Sequence, residues 1–350
     1  MDQPDFDHIK NSMQGLISQN SHFSLTKIKG GKNNQLWLFD EISNDNTKIQ
    51  EFVVKIFFEK TSAFDREFYF YQYFRNLDLP LPDLIHSLEN NYIIFSHIEN
   101  DKKNLINLAQ FVSESSLFFN KINNYYKTNN AYKLNAKDAF FSVFDQIDNI
   151  ENKIIKLIEC SKTLNEIQSF LKSVYSLWNK LKIQIEDAYI KKYYDITKHF
   201  SHSELCVSPS DFGMHNSIYN DKKFYFIDFE YAGMDDPAKM ICDFFHQPQF
   251  KIELGFYDKF VDKSLQSFSV EDKDKIVYRS KLMFFAYSIK WISITLNILE
   301  DNNSKKILFN DSNVNFYDLI NERISLSEKI FKNIPQKGIE NESFRSWLRQ

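Results

Sequence analysis

Val207-Ser208-Pro209-Ser210-Asp211-Phe212-Gly213-Met214-His215-Asn216, followed by Phe224-Tyr225-Phe226-Ile227-Asp228-Phe229-Glu230, is the stretch from which the rest of the chain can be read. Asp211 stands five residues before Asn216, and a second carboxylate, Asp228, ends an aromatic run seventeen residues after Asp211. Ser217-Ile218-Tyr219 and Phe224-Tyr225-Phe226-Ile227 read as two strands joined by the polar turn Asn220-Asp221-Lys222-Lys223. A hairpin closed about that turn sets Asn216 opposite Ile227 or Asp228. Cross-strand Cα atoms lie roughly 4.5–5.5 Å apart, so an amide oxygen and a carboxylate there can share one divalent ion. Mg²⁺ takes such a small oxygen set together with substrate phosphates. Asp211, on the preceding loop, is placed to orient or deprotonate an acceptor hydroxyl, as phosphoryl transfer requires. Asp and Asn in loops also serve as plain turn formers; three such groups at this spacing around one hairpin favour the chemical reading.

Upstream, Glu51-Phe52-Val53-Val54-Lys55-Ile56-Phe57-Phe58 embeds a lysine in an apolar strand, where an ammonium needs a partner. The helix that follows from Ser62 carries Phe64, Glu67, Phe70, Tyr71 and Phe74 on one stripe, which makes Glu67 a carboxylate on an apolar face. Pairing Lys55 with Glu67 satisfies both; the bland alternative is a snorkelling lysine and a glutamate at the solvent edge. Phe23 to Lys29 and Gln35 to Asp40 alternate as strands about Gly30-Gly31-Lys32-Asn33-Asn34, a turn that either closes a hairpin or lays backbone N–H groups over phosphates. It lacks Walker-loop spacing. Asn91 to Glu99 reads as one more strand, and from Leu105 to about Lys192 the apolar period is helical.

At these residues the chain resembles the aminoglycoside phosphotransferase and choline kinase superfamily, small-molecule relatives of the protein kinases. That family carries a His-x-Asp-x-x-x-x-Asn loop, an Ile-Asp-Phe/Trp-Glu strand and a Gly-Asp-Pro segment. Here the loop runs from Pro209 through Asp211 to Asn216, the strand is Ile227-Asp228-Phe229-Glu230, and Asp235-Asp236-Pro237 follows. Pro209 replaces the family's usual His, which mainly braces the loop. The resemblance implies an α+β, bilobal, protein-kinase-like fold. Residues 1–98 would form an N-lobe of antiparallel sheet and one helix, and residues 99–350 a larger, mainly helical C-lobe carrying the catalytic hairpin. It further implies ATP or another NTP as donor with Mg²⁺ on Asn216 and Asp228, and Asp211 as catalytic base. Lys55, braced by Glu67, would reach the donor phosphates, with Gly30 and Gly31 near them. The hinge backbone from Ser96 to Ile98 would hold the adenine. Asp211-Phe212-Gly213 spells the metal-binding triplet of protein kinases, yet Asn216 follows it, so the metal role falls to Asp228.

The expected activity is therefore phosphoryl transfer to a hydroxyl of a small molecule, a sugar, amino sugar or related alcohol. Two alternatives stand beside it. A protein kinase would need an activation segment, and only five residues separate Glu230 from Asp236. A nucleotide-binding pseudokinase acting as an interaction module is made conceivable by Pro209 and by the degenerate glycine turn at Gly30-Gly31. A formal charge of -4 gives no general attraction to nucleic acid. Cys160, Cys206 and Cys242 lack metal spacing and suit a reducing cytoplasm. His199-x-x-His202 has no third ligand at a recognisable spacing, so zinc is not expected. The opening Met1-Asp2-Gln3-Pro4-Asp5 is not expected to be a secretory signal. Leu282 to Leu299 is apolar, but Lys290 near its middle points to a buried helix rather than a membrane span. Nothing in the sequence specifies an oligomeric state.

Overall fold

The computed structural model describes residues 21–28, 34–58, 62–88, 92–101, 107–162, 164–192, 194–300 and 314–349, with 9, 11, 13, 18, 303, 304 and 307; the Gly30-Gly31 turn lies outside them. The chain forms two compact units, one of Met1–Asn104, Ser217–Glu230 and Lys305–Val314, the other of Leu105–Asn216, Tyr231–Ser304 and Asn315–Gln350.

The first unit is built on a five-stranded sheet in the order β1-β2-β3-β5-β4, antiparallel throughout. Its strands are β1 Ser21–Ile28, β2 Asn34–Ser43, β3 Lys48–Phe57, β4 Leu84–Leu88 and β5 Tyr92–Ser96. The two-residue period of β3 sends Phe52, Val54 and Ile56 into a cluster with Phe39, Ile94, Ile9 and Met13. The same period turns Lys55 and Phe57 to the opposite face. There helix α1, Ser62–Phe74, buries Phe64, Glu67, Phe70, Tyr71 and Phe74, the stripe expected from its spacing. Phe64 meets Phe57 edge-on, with ring centroids 5.7 Å apart.

The hairpin of β7, Ser217–Asn220, and β8, Lys223–Phe226, belongs to this unit although it is far away in sequence. Its two-residue loop, Asp221 and Lys222, has φ of 48° and 64°, the left-handed pair that a tight hairpin turn with the natural strand twist demands. Backbone and side-chain bonds fasten it: Asp101 N to Tyr219 O at 2.8 Å, Phe226 N to Pro80 O at 2.8 Å, and Asn220 Nδ2 to Glu99 O at 2.7 Å. Phe229 stacks on Phe70 of α1 at 4.2 Å.

The second unit is helical. It contains α2 Leu108–Asn129, α3 Val143–Cys160, α4 Asn165–Lys191, α5 Pro237–His246, α6 Tyr257–Ser264, α7 Val270–Thr295, α8 Phe316–Lys332 and α9 Glu342–Arg349. Asn107, Ser142, Asp236 and Ser269 cap α2, α3, α5 and α7 through their side-chain oxygens. The core joins α3, α4 and α7 around the fully buried Trp178. By length and composition α7 could cross a membrane, but most of its apolar window is buried inside the protein. Lys290, on that helix, bonds both oxygens of Asp243 at 2.9 and 2.8 Å, and Trp291 Nε1 donates to the same carboxylate at 3.0 Å. Burial draws the Lys290 ammonium down to about 8 against the pull of Asp243. Both side chains are thus tied into the interior.

Two short strands, β6 Cys206–Ser208 and β9 Gly233–Asp235, pair antiparallel and carry the loop that holds Asp211. The outer edge of β6 is completed by a side chain, since buried Asn123 accepts from Val207 N at 2.8 Å and donates to Val207 O at 3.1 Å. After β9, Asp235 accepts from Phe140 N and pairs with Lys239 at 2.6 Å, while Arg279 grips Asp236 with two nitrogens. A Cβ on Gly233 would lie 2.2 Å from Ala136 N and 2.3 Å from Asn135 C, both backbone atoms. Gly233→Ala should therefore cost about 3 kcal/mol or more, the upper end of overpacking penalties, because backbone cannot rotate away. Urea titration checks this, and a variant with an unchanged midpoint contradicts it.

Candidate active site

In the first unit, four ionisable side chains converge. Lys55 Nζ from β3 lies 2.6 Å from Glu67 Oε2 of α1, 2.5 Å from Asp228 Oδ1 beyond β8, and 3.9 Å from Glu230 Oε2. Lys55, Glu67 and Glu230 are almost entirely buried, and Asp228 is about a quarter exposed, with a side-chain accessibility of 28%. Asn34, the first residue of β2, donates its Nδ2 to Glu230 Oε2, and Arg66 of α1 donates Nε to the Glu230 carbonyl at 2.7 Å. The strand end is therefore clasped by sheet and helix together. Asp228 sits at φ 70°, a left-handed conformation that costs a non-glycine residue roughly 1–2 kcal/mol. Such strain persists only where surrounding contacts hold it, as Lys55 does here.

Three carboxylates crowd one ammonium, and of the three only Asp228 keeps appreciable solvent contact. Burial alone would lower the Lys55 pKa, but Asp228, Glu67 and Glu230 outweigh it and hold the ammonium charged. Burial pushes Glu67 up to about 7; Lys55 pulls it down, and the charges of Asp228 and Glu230 push it further up. A proton held on Glu67 thus relieves part of the crowding among the carboxylates. The carboxylate oxygens are hard donors of the kind Mg²⁺ takes. Among the described residues no group of three or more His, Cys, Asp and Glu side chains gathers as a metal centre.

In the second unit, the loop after β6 presents Asp211, whose side chain is one-third exposed. Gln247 Nε2, just past α5, donates to Asp211 Oδ1 at 2.8 Å, and His215 Nε2 lies 3.2 Å from the same oxygen. Asn216 donates Nδ2 to the Asp211 carbonyl at 2.8 Å, which turns its amide oxygen the other way. Ser210, immediately before Asp211, takes φ 67° and so produces the sharp turn that exposes the carboxylate.

The structure therefore brings Lys55, Glu67 and Asp228 together in one unit, and Asp211 with Asn216 in the other. Ser217 pairs with Phe226, so Asn216 lies one residue before the paired region and Asp228 two residues beyond it. Ser96 uses its amide on Asp83 O at 2.9 Å, and its hydroxyl accepts from Asp83 N at 2.8 Å. Among the described residues none bonds the Ile98 backbone. Gly30 and Gly31 fall outside the described residues. Sequence reasoning met Asn34 and Glu230 only as members of a turn and a strand, without a role, and passed over Gln247. Glu230 did leave a signal, a carboxylate closing an apolar strand, the same anomaly that exposed Lys55.

No known family's sequence profile matches the chain, and no curated protein matches it by sequence. By structure it resembles choline kinase from Cryptosporidium parvum Iowa II, with a TM-score of 0.60 and 15% identity over 99% of this chain and 100% of that one. It also resembles APH(2″)-IIa in complex with gentamicin, at 0.57 and 14% over 96% and 98% of the two chains. A third likeness is to an amicoumacin kinase in complex with AMP-PNP and Ca²⁺, at 0.54 and 10% over 99% and 97%. The fold is that of the protein-kinase-like small-molecule kinases, aminoglycoside phosphotransferases and choline/ethanolamine kinases among them.

Proposed function

We propose that this chain, folded as those phosphotransferases are, transfers the γ-phosphoryl group of ATP or another NTP to a hydroxyl of a small molecule, with Mg²⁺. The observation that carries this reading is the buried Lys55–Glu67–Asp228 cluster, a charged assembly in an otherwise apolar layer that stability alone does not call for. Lys55 would exchange its contact with Asp228 for the donor phosphates while Glu67 keeps it in place. Asn216 and Asp228 would hold the Mg²⁺, which when bound neutralises charge on the phosphates. Asp211 takes or directs the acceptor's proton. Positioning and electrostatics supply most of the acceleration, because phosphoryl transfer needs little covalent help. The hinge backbone from Ser96 to Ile98 is proposed for the adenine, and Gly30 and Gly31 for the phosphates.

An acceptor of the sugar, amino sugar or related alcohol class fits the fold's known range; the neighbours' acceptors belong to the neighbours. Free cysteines, one exposed and two buried, agree with a cytoplasmic location. The test is consumption of ATP and GTP with Mg²⁺ against a library of hydroxyl compounds. Acceptor-dependent release of nucleoside diphosphate is expected. Nucleotide binding with no turnover across the library would favour the pseudokinase alternative instead.

A further inference from the structure

We propose that His215 and Gln247 are positioning residues that together hold one oxygen of the Asp211 carboxylate and so set the direction in which Asp211 meets the acceptor hydroxyl; this rests on the reading of Asp211 as the acceptor base. The two side chains come from different places, one from the loop itself and one from the end of α5, and both reach Oδ1. Gln247 is 5% exposed, so its amide is not a solvent-facing group that happens to touch a neighbour. A carboxylate anchored through one oxygen loses its freedom to rotate, and near-attack geometry depends on that freedom being removed.

Gly213 gives a second, independent sign that the arrangement is built. A Cβ there would lie 2.8 Å from His215 Nδ1, 2.9 Å from His215 Cε1 and 3.1 Å from Gln247 Cγ. The absent side chain is what lets the imidazole and the Gln247 methylene close over the loop. Its φ is not in the left-handed region, so glycine's role at this position is room rather than backbone freedom. Pro209, at the foot of the loop, has neither a side-chain hydrogen-bonding group nor an N–H, so it offers the loop no donor of its own. Buried His215 Nδ1 has no hydrogen-bond partner, which leaves Nε2 as the ring atom that makes a polar contact.

The experiment measures kcat and KM of the full chain for His215→Ala, Gln247→Leu and Gly213→Ala, with thermal melts to confirm folding. Each variant should lose about 10- to 100-fold in kcat, the scale of a displaced reacting group, with nucleotide KM within about twofold of wild type. Gly213→Ala is the sharpest of the three, because it keeps both side chains and only crowds them away from Asp211. His215→Gln, which retains a side-chain donor, should recover part of the loss. An active wild type with kcat unchanged in all three variants overturns the positioning role alone. A wild type inert toward every nucleotide and acceptor overturns the functional reading and takes this role with it.

Discussion

Replacing Asp211 by Asn lowers turnover about 10²- to 10⁴-fold, the range that a positioned base contributes, and leaves Mg-nucleotide binding nearly intact. The substitution preserves shape. Asn retains an oxygen that accepts from Gln247 Nε2, and the Asp211 carbonyl that receives Asn216 Nδ2 is untouched. Proton affinity and negative charge are lost. Asp211 is one-third exposed, so its folding contribution is small, and stability should change by no more than about 0.5 kcal/mol. Single-turnover kinetics beside a nucleotide titration separate the outcomes. Equal loss of turnover and of nucleotide affinity would reassign Asp211 to the metal, and unchanged turnover would remove it from the chemistry.

What the sequence disclosed and what it withheld divide along chain separation. The α1 stripe and the alternation of β3 are periodicities of a few residues, and the hairpin turn is a local choice of left-handed residues at Asp221 and Lys222. The Lys55–Glu67 contact spans twelve residues between adjacent elements, close enough for apolar context to imply it. Asn34 and Glu230 are 196 residues apart, and Asp211 and Gln247 thirty-six, and no period links either pair. β4 escaped notice because Leu84-Ile85-His86-Ser87-Leu88 does not alternate and all five residues are half-buried. The pairing of β6 depends on the Asn123 side chain, and a lone asparagine on α2 reads as a polar surface residue until the strand is seen beside it.

Lys55→Met should both abolish turnover and destabilise the protein, and a second substitution pulls the two effects apart. Losing the ammonium leaves Glu67, Asp228 and Glu230 facing one another, and breaking a buried ion pair in this way costs about 3–5 kcal/mol. The cost depends on pH in a definite direction. Burial already raises Glu67 to about 7, above the usual carboxylate range, so the folded state binds its proton more tightly than the unfolded chain does. A raised group contributes stability below its unfolded pKa and loses it as pH climbs through the folded value. Without Lys55 that folded value rises further, so the deficit relative to wild type should be smaller near pH 5 than at pH 8. Lys55→Met/Glu67→Leu removes the orphaned charge and should regain most of the stability, since Glu230 keeps its bond from Asn34 and Asp228 keeps part of its solvent contact. Turnover should stay down by about 10²- to 10³-fold or more, the loss typical of removing one electrostatic contact to the reacting group. Denaturant midpoints at both pH values and kcat for wild type, single and double variants decide the matter. A double variant that recovers turnover along with stability would show that Lys55 holds the fold and does not touch the phosphates.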